Sequence, residues 1–229
     1  MLFRSGLSGT GPKAGGPQYV RRFMKGEVIE KSTASTDQVV TDDDAQKLIQ
    51  AVAKIEVPEP EGRQAALKPY FGELPAPLDE GYEEMPGPTG EQNHLSCHAR
   101  GVVLCLGPDA KSASEQAGVA LSQGNRVVVI APGAEQAMAD AIAAGLPVVA
   151  KEGVLDPDAL TTLEGFEAAV SVAEKSMLKQ YRFALCKRDG ALLPLITEHK
   201  LDQRYVIERH LCIDTTAAGG NASLIASAE

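Results

Sequence analysis

Residues 101–133 read GVVLCLGPDAKSASEQAGVALSQGNRVVVIAPG. Val102 to Leu106 is continuously apolar and stands between Gly101 and Gly107, the pattern of a buried strand. Lys111 to Leu121 is Ala-rich and reads as a helix that ends at Gly124. Arg126 to Ala131 is a second buried strand. A strand, a helix and a strand of this kind form a βαβ unit, which fixes the class of everything around it.

The rhythm continues downstream. Ala134 to Ala144 predicts a helix stopped by Gly145, and Pro147 to Ala150 a short third strand. Asp158 to Leu163 reads as a short helix and Phe166 to Val172 as a fourth strand. Glu174 to Lys187 is helical with Gly190 beyond its end, and Ala191 to Thr197 is a fifth strand. The fold class is therefore α/β, with a Rossmann-like, open, mostly parallel sheet and right-handed crossovers. Tyr205 to Ile213 breaks the rhythm by alternating Val206, Glu208 and His210 with Ile207, Arg209 and Leu211. That alternation describes a protruding or edge strand. The tail after it, TTAAGGNASLIA from Thr215, is too poor in large side chains to build core.

Upstream the composition changes twice. Residues 27–92 are acidic and Pro-rich and read as linker, with one amphipathic helix from Thr41 to Ile55. Ala45, Leu48, Ile49, Val52 and Ile55 form its apolar face, and Thr41 or Asp42 its cap. Residues 1–26 are Gly-rich and then turn apolar and basic at Tyr19 to Met24, which reads as a short strand.

In bulk, 229 residues can bury a sizeable core, but aromatic side chains make up only 4% and Trp is absent. The core must rest on Ala, Val, Leu and Ile. A net charge of −9 argues against nucleic-acid contact, because counterion release needs cations. Asp42 to Asp44, Glu56 to Glu61 and Asp79 to Glu84 read as solvated charge. Cys97, Cys105, Cys186 and Cys212 lack CxxC spacing, and Cys105 and Cys212 sit in apolar runs as buried thiols do. Neither a cleavable leader nor a membrane-length apolar run is visible, so a cytoplasmic location is expected.

Each candidate site fails on spacing or context. In GLSGTGPKAGGP, Gly6 to Pro17, the P-loop separation of Gly6 and Gly11 is present, but Pro12 stands where Lys belongs and Ala14 replaces the hydroxyl. The GxGxxA match at Gly9 to Ala14 has no strand before it. The first βα turn of the sheet, Gly107 to Lys111, carries one glycine, and the second strand ends at Ile130-Ala-Pro-Gly without an acid, so NAD binding by this sheet is not expected. His94-Leu-Ser-Cys-His98 reads as a surface loop before the first strand, with only His199 and His210 left to complete a metal set. No nucleophile is paired with a base, so catalytic, cofactor and metal residues are all expected to be absent.

Three motifs then count together. LSGTGPKAGGPQY, Leu7 to Tyr19, resembles the segment after the last catalytic-domain motif in the aldehyde dehydrogenase module of bifunctional proline utilization A flavoenzymes. GPTGEQN, Gly87 to Asn93, resembles the linker that follows it there, and RHLCIDTTAAGGNASLIA, Arg209 to Ala226, the C-terminal motif of long members. The resemblance implies a parent that oxidises proline with FAD and glutamate γ-semialdehyde to glutamate with NAD. It also implies that this chain is the C-terminal part, with an aldehyde-dehydrogenase-like domain that binds no NAD. The division it suggests is 1–26 as the end of the dehydrogenase module, 27–99 as linker, 100–204 as the Rossmann-like domain, and 205–229 as β-flap and lid.

Carried over residue by residue, Asp214, Thr215, Thr216, Gly219, Gly220, Asn221 and Ser223 form the lid motif that encloses the channel between active sites. Asp214 stands where many relatives have Asn. The expected partners are the aldehyde dehydrogenase and proline dehydrogenase modules of a homo-oligomeric parent, which the resemblance allows to attach peripherally to the inner membrane. The family's catalytic Cys, its NAD-contacting Glu and a preceding Pro-Phe-Gly-Gly have no counterpart, since Met1 to Ser5 reads MLFRS. The start thus reads as truncated, and the chain alone is expected to be inactive. The alternative reading from the residues is a free-standing module that binds a small ligand at the switch point of its sheet.

Overall fold

The computed structural model describes residues 16–17, 19–23, 36–77, 81, 83–198 and 202–214. In chain order, the first half gives β1 (Val39–Val40), α1 (Asp42–Val52), α2 (Pro60–Phe71), β2 (Glu83–Met85) and β3 (Glu91–Ala99). The α/β core follows with β4 (Val102–Cys105), α3 (Ala110–Ser122), β5 (Arg126–Ile130), α4 (Ala134–Ala143), β6 (Val148–Lys151) and β7 (Val154–Leu155). It is completed by β8 (Ala168–Val170), α5 (Lys175–Cys186) and β9 (Leu195–Ile196), and the long strand β10 (Val206–Asp214) comes last.

The main sheet has the order β6-β5-β4-β8-β9, and every pair in it is parallel. Its first strand is central, and the chain winds outward first to one side and then to the other. The strand order itself therefore carries the Rossmann-like class, with its switch point between β4 and β8. The continuous apolar runs have a direct physical cause. Val103, Cys105, Val127, Val129, Ala168 and Val170 enter a core with α2, α3 and α4 on one face. Val102, Leu104, Val128, Ile130 and Ala169 enter a second core with α1 and α5 on the other. Alternation has no polar side to report when both faces are covered.

Several expectations need correcting. The Pro-rich stretch holds a second helix, α2, which starts with Pro60 in the first turn and tolerates Pro69 near its end. Proline is compatible with a first turn because the N–H it lacks is unpaired there anyway. Leu67 of α2 is buried, and Gly118 of α3 admits close contact: a Cβ there would sit 2.8 Å from Leu74 Cδ2 and 3.2 Å from Phe71 Cβ. Tyr19 to Met24 contains a 3-10 turn, Val20–Phe23, in place of a strand. The HLSCH segment is not a loop but the middle of β3. Val39–Val40 adds to Val154–Leu155 as a small parallel pair that no local pattern announced. Cys105 is buried as expected, whereas Cys212 is only half-buried.

The second sheet, β10-β3-β2, is antiparallel, and its long ribbon runs in register from Val206↔Ala99 to Asp214↔Glu91. Its base, with Leu95, Cys97, Val206 and Glu208, is buried, while Leu211 and Ile213 near the far end are exposed. Asn125 joins the two sheets. Its fully buried amide accepts from Arg100 N at 2.8 Å and Gly101 N at 3.2 Å, and donates to Ala120 O and Tyr205 O at 2.9 Å each. All four of its hydrogen-bonding positions are used.

Candidate functional site

The carboxyl ends of β4, β5 and β8 open into a crevice of about 500 Å³. Crevices of this kind, beside the switch point, are where open α/β sheets take ligands. Apolar walls come from Val39, Leu106, Ile130, Leu155 and Met177, and Pro108 and Pro132 stand in the two βα turns.

Several backbone donors at the two βα turns are hydrogen-bonded within the chain. At the first turn, Gly107 N donates to Gln116 Oε1 at 3.2 Å, while Gln116 Nε2 donates to Gly107 O at 2.8 Å. Asp109 caps α3 by accepting from Ser112 N at 2.8 Å. At the second turn, Gly133 N, the amide at the head of α4, donates to both carboxylate oxygens of Glu152 at 2.9 and 2.8 Å. Asp156 caps the 3-10 turn Pro157–Thr161 through Asp158 N at 3.1 Å. A helix N-terminus attracts anions through such N–H groups and its dipole. Here the chain's own carboxylates, those of Asp109, Glu152 and Asp156, accept from N–H groups at the three helix starts.

One buried polar group faces the crevice. Tyr181 of α5 is 1% exposed, and its hydroxyl donates to Leu155 O at 3.4 Å. Burial, with the Asp156 carboxylate second, pushes this hydroxyl well above its ordinary range, so it stays neutral. Glu174, at the N-cap of α5, accepts from Ser176 Oγ on the rim.

Of the lid residues, Asp214 closes β10 opposite Glu91, at the far end of the ribbon. Thr215, Thr216, Gly219, Gly220, Asn221 and Ser223 lie outside the described residues. So do His199, most of the opening Gly-rich stretch and Met1 to Ser5. Because directly paired residues share a face, His94 and His98 lie on one face of the ribbon and His210, opposite Leu95, on the other. His98 Nε2 is hydrogen-bonded to Ser96 Oγ at 2.8 Å. Among the described residues no group of three or more His, Cys, Asp or Glu is placed to hold a metal. No helix among them is long and apolar enough to cross a membrane.

Gln116, Glu152 and Tyr181 were missed by sequence reasoning. Gln116 left a trace, as a lone amide on the Ala-rich face of α3. Glu152 left none, because its contact with Gly133 exists only once β6 lies beside β5.

No protein-family model matches the chain. It is 31% identical over a 237-residue alignment to the bifunctional protein PutA of Escherichia coli strain K12, covering 96% of this chain and 17% of that protein. It is 33% identical over 230 residues to PutA of Rhizobium meliloti, covering 96% of this chain and 18% of the relative. Along 96% of its length the chain is similar to bifunctional PutA proteins. It spans less than a fifth of the length of these PutA proteins. A solved PutA mutant from Bradyrhizobium japonicum is 28% identical over 57% of this chain and 14% of its own, with a TM-score of 0.41. An indole-3-acetaldehyde dehydrogenase in apo form is 16% identical over 67% of this chain and 47% of its own, with a TM-score of 0.49.

Proposed function

We propose that the chain is the C-terminal part of an NAD-dependent L-glutamate γ-semialdehyde dehydrogenase in the catabolism of proline to glutamate. In that setting it serves assembly and substrate channelling, and carries no complete active site. The observation that carries this reading is the PutA similarity along 96% of the chain. NAD and FAD belong to the parent's other modules, and the parent is a cytoplasmic homo-oligomer whose aldehyde dehydrogenase and proline dehydrogenase modules are this segment's partners. The division at residues 26, 99 and 204 is part of the same proposal.

The ribbon supports the lid role physically. It starts from a buried base and ends in Asp214, the first residue of the lid motif, next to exposed Leu211 and Ile213. A Gly- and Ala-rich tail attached there has small side chains that let backbones approach closely. Closing a cavity in this way limits escape of a reactive intermediate.

Two experiments test the reading. The purified chain, mixed with NAD and L-glutamate γ-semialdehyde, should produce no NADH, and enzyme-like turnover would overturn the absence of an active site. Deleting Thr215 to Glu229 from a full-length parent should slow conversion of proline to glutamate while each half-reaction persists. Unchanged flux sinks the lid role.

A further inference from the structure

We propose that the crevice at the carboxyl edge of the main sheet binds one compact, uncharged, mostly apolar molecule, held between that edge and the strap of residues 36–40. At about 500 Å³ it falls within the range of small-molecule sites. Its two sides come from parts of the chain far apart in sequence. Buried Leu106, Ile130 and Leu155 and half-buried Pro132 and Met177 line it from the α/β core, and exposed Val39 lines it from the strap.

The strap is seated by specific contacts. Val154 N donates to Gln38 O at 2.8 Å and Asp156 N to Val40 O at 3.0 Å, within the parallel pair of β1 and β7. Val40 is buried in the core that holds α1, and Val39, on the opposite face of the same strand, lines the crevice. Gly153, at φ +123°, is what lets the strap come so near: a Cβ there would stand 2.7 Å from Gln38 O. An occupant of the crevice touches both the core and this two-residue strand, so it fastens the strap as it binds.

The polar groups around the crevice have their partners within the chain or in water. Asp156 accepts from Asp158 N at 3.1 Å, Glu174 accepts from Ser176 Oγ, and the Tyr181 hydroxyl donates to Leu155 O. Asp37 is exposed. No Lys, Arg or His among the described residues lines the crevice, so an anion finds no countercharge. A cation would give up hydration for carboxylates that are already bonded or solvated. Apolar surface is what a ligand can cover here, and removing it from water favours an uncharged body. The assignment stands on the crevice and the strap alone, apart from the channelling role.

The test uses the whole chain and three probes of one shape: 1-naphthalenemethanol, 1-naphthalenemethylammonium and 1-naphthoate. Titration calorimetry and saturation-transfer NMR should show the alcohol binding most tightly and each ion weaker by on the order of fivefold or more. Hydrogen exchange at the amides of Val154 and Asp156, which hold the strap, should slow when the alcohol is added. Val39→Asp places a charge on the apolar wall at a side chain outside the core, and should weaken the alcohol by on the order of tenfold. Met177→Ala should weaken it by on the order of two- to fivefold, with thermal unfolding confirming that both variants fold. No binding of the alcohol, tighter binding of either ion, or unchanged exchange at Val154 and Asp156 overturns the proposal. So does wild-type affinity for the alcohol in both folded variants.

Discussion

Replacing Asn125 with Ala should loosen the joint between the main sheet and the ribbon. The substitution removes four hydrogen bonds, to Arg100 N, Gly101 N, Ala120 O and Tyr205 O. At about 1 kcal/mol net per bond the loss approaches about 4 kcal/mol. Two partners soften it. Ala120 O keeps the backbone N–H of residue 125 at 3.1 Å, and the half-buried amides of Arg100 and Gly101 can turn to water. Tyr205 O, on a fully buried residue, loses its donor from residue 125, and this strands the most energy. The expected destabilisation is about 2–4 kcal/mol, read from urea unfolding of the chain. Hydrogen exchange should quicken first in β10, since Tyr205 is the residue from which that strand departs. Asn125→Asp sharpens the test. It keeps size and the acceptor oxygen, but replaces the one amide nitrogen that makes both donations with an oxygen facing the carbonyls of Ala120 and Tyr205. It should match or exceed the Ala variant near neutral pH and recover partly in acid, where a protonated carboxyl donates again. A loss below about 1 kcal/mol for Ala, or wild-type stability of Asp at neutral pH, refutes the reasoning.

Other outcomes follow from single sites. Burial pushes the Cys105 thiol up, so in the native chain a disulfide reagent should modify exposed Cys186 promptly and Cys105 only after unfolding, as read by peptide mass spectrometry. Gly107→Ala should cost about 1–3 kcal/mol and lower the melting temperature, because φ is +63° and the new Cβ would stand 2.7 Å from Asp109 N. Burial raises the Glu167 carboxyl against the opposing pull of Arg100 and Arg188. The folded state therefore holds that proton more tightly than the unfolded chain, a contribution present in acid and lost as pH rises through the folded value. Glu167→Gln should accordingly gain on the wild type at neutral pH and lose that gain in acid, and urea titrations showing the reverse trend would contradict the assignment.

Local pattern was strongest where one physical constraint dominates. The runs at Val102 to Leu106 and Arg126 to Ala131 are apolar at every position because both faces of those strands are covered, so the parallel sheet was legible before any coordinates. The helix ends just before Gly124 and Gly145 were legible for the same reason: each glycine follows the C-cap and takes the positive φ that glycine tolerates best. The second helix was hidden, because Pro60 and Pro69 count against a helix in any window average although the first sits harmlessly in its first turn. The ribbon's alternation was read at β10 but not at β3, where the histidines of HLSCH drew attention to metal spacing.

The sequence by itself determined the α/β class, the poverty of the first βα turn and the three motifs of PutA type, since each depends on residues close together in the chain. Only the tertiary structure decided what became of the sheet's ligand edge. Glu152 lies 19 positions beyond Gly133, and Tyr181 26 beyond Leu155, so neither contact has a local signature. It took the winding of the chain around β4 to bring one carboxylate onto a helix N-terminus and one buried hydroxyl to the crevice. Hydrogen bonds act over about 3 Å of space, and separation along the chain carries no information about that distance.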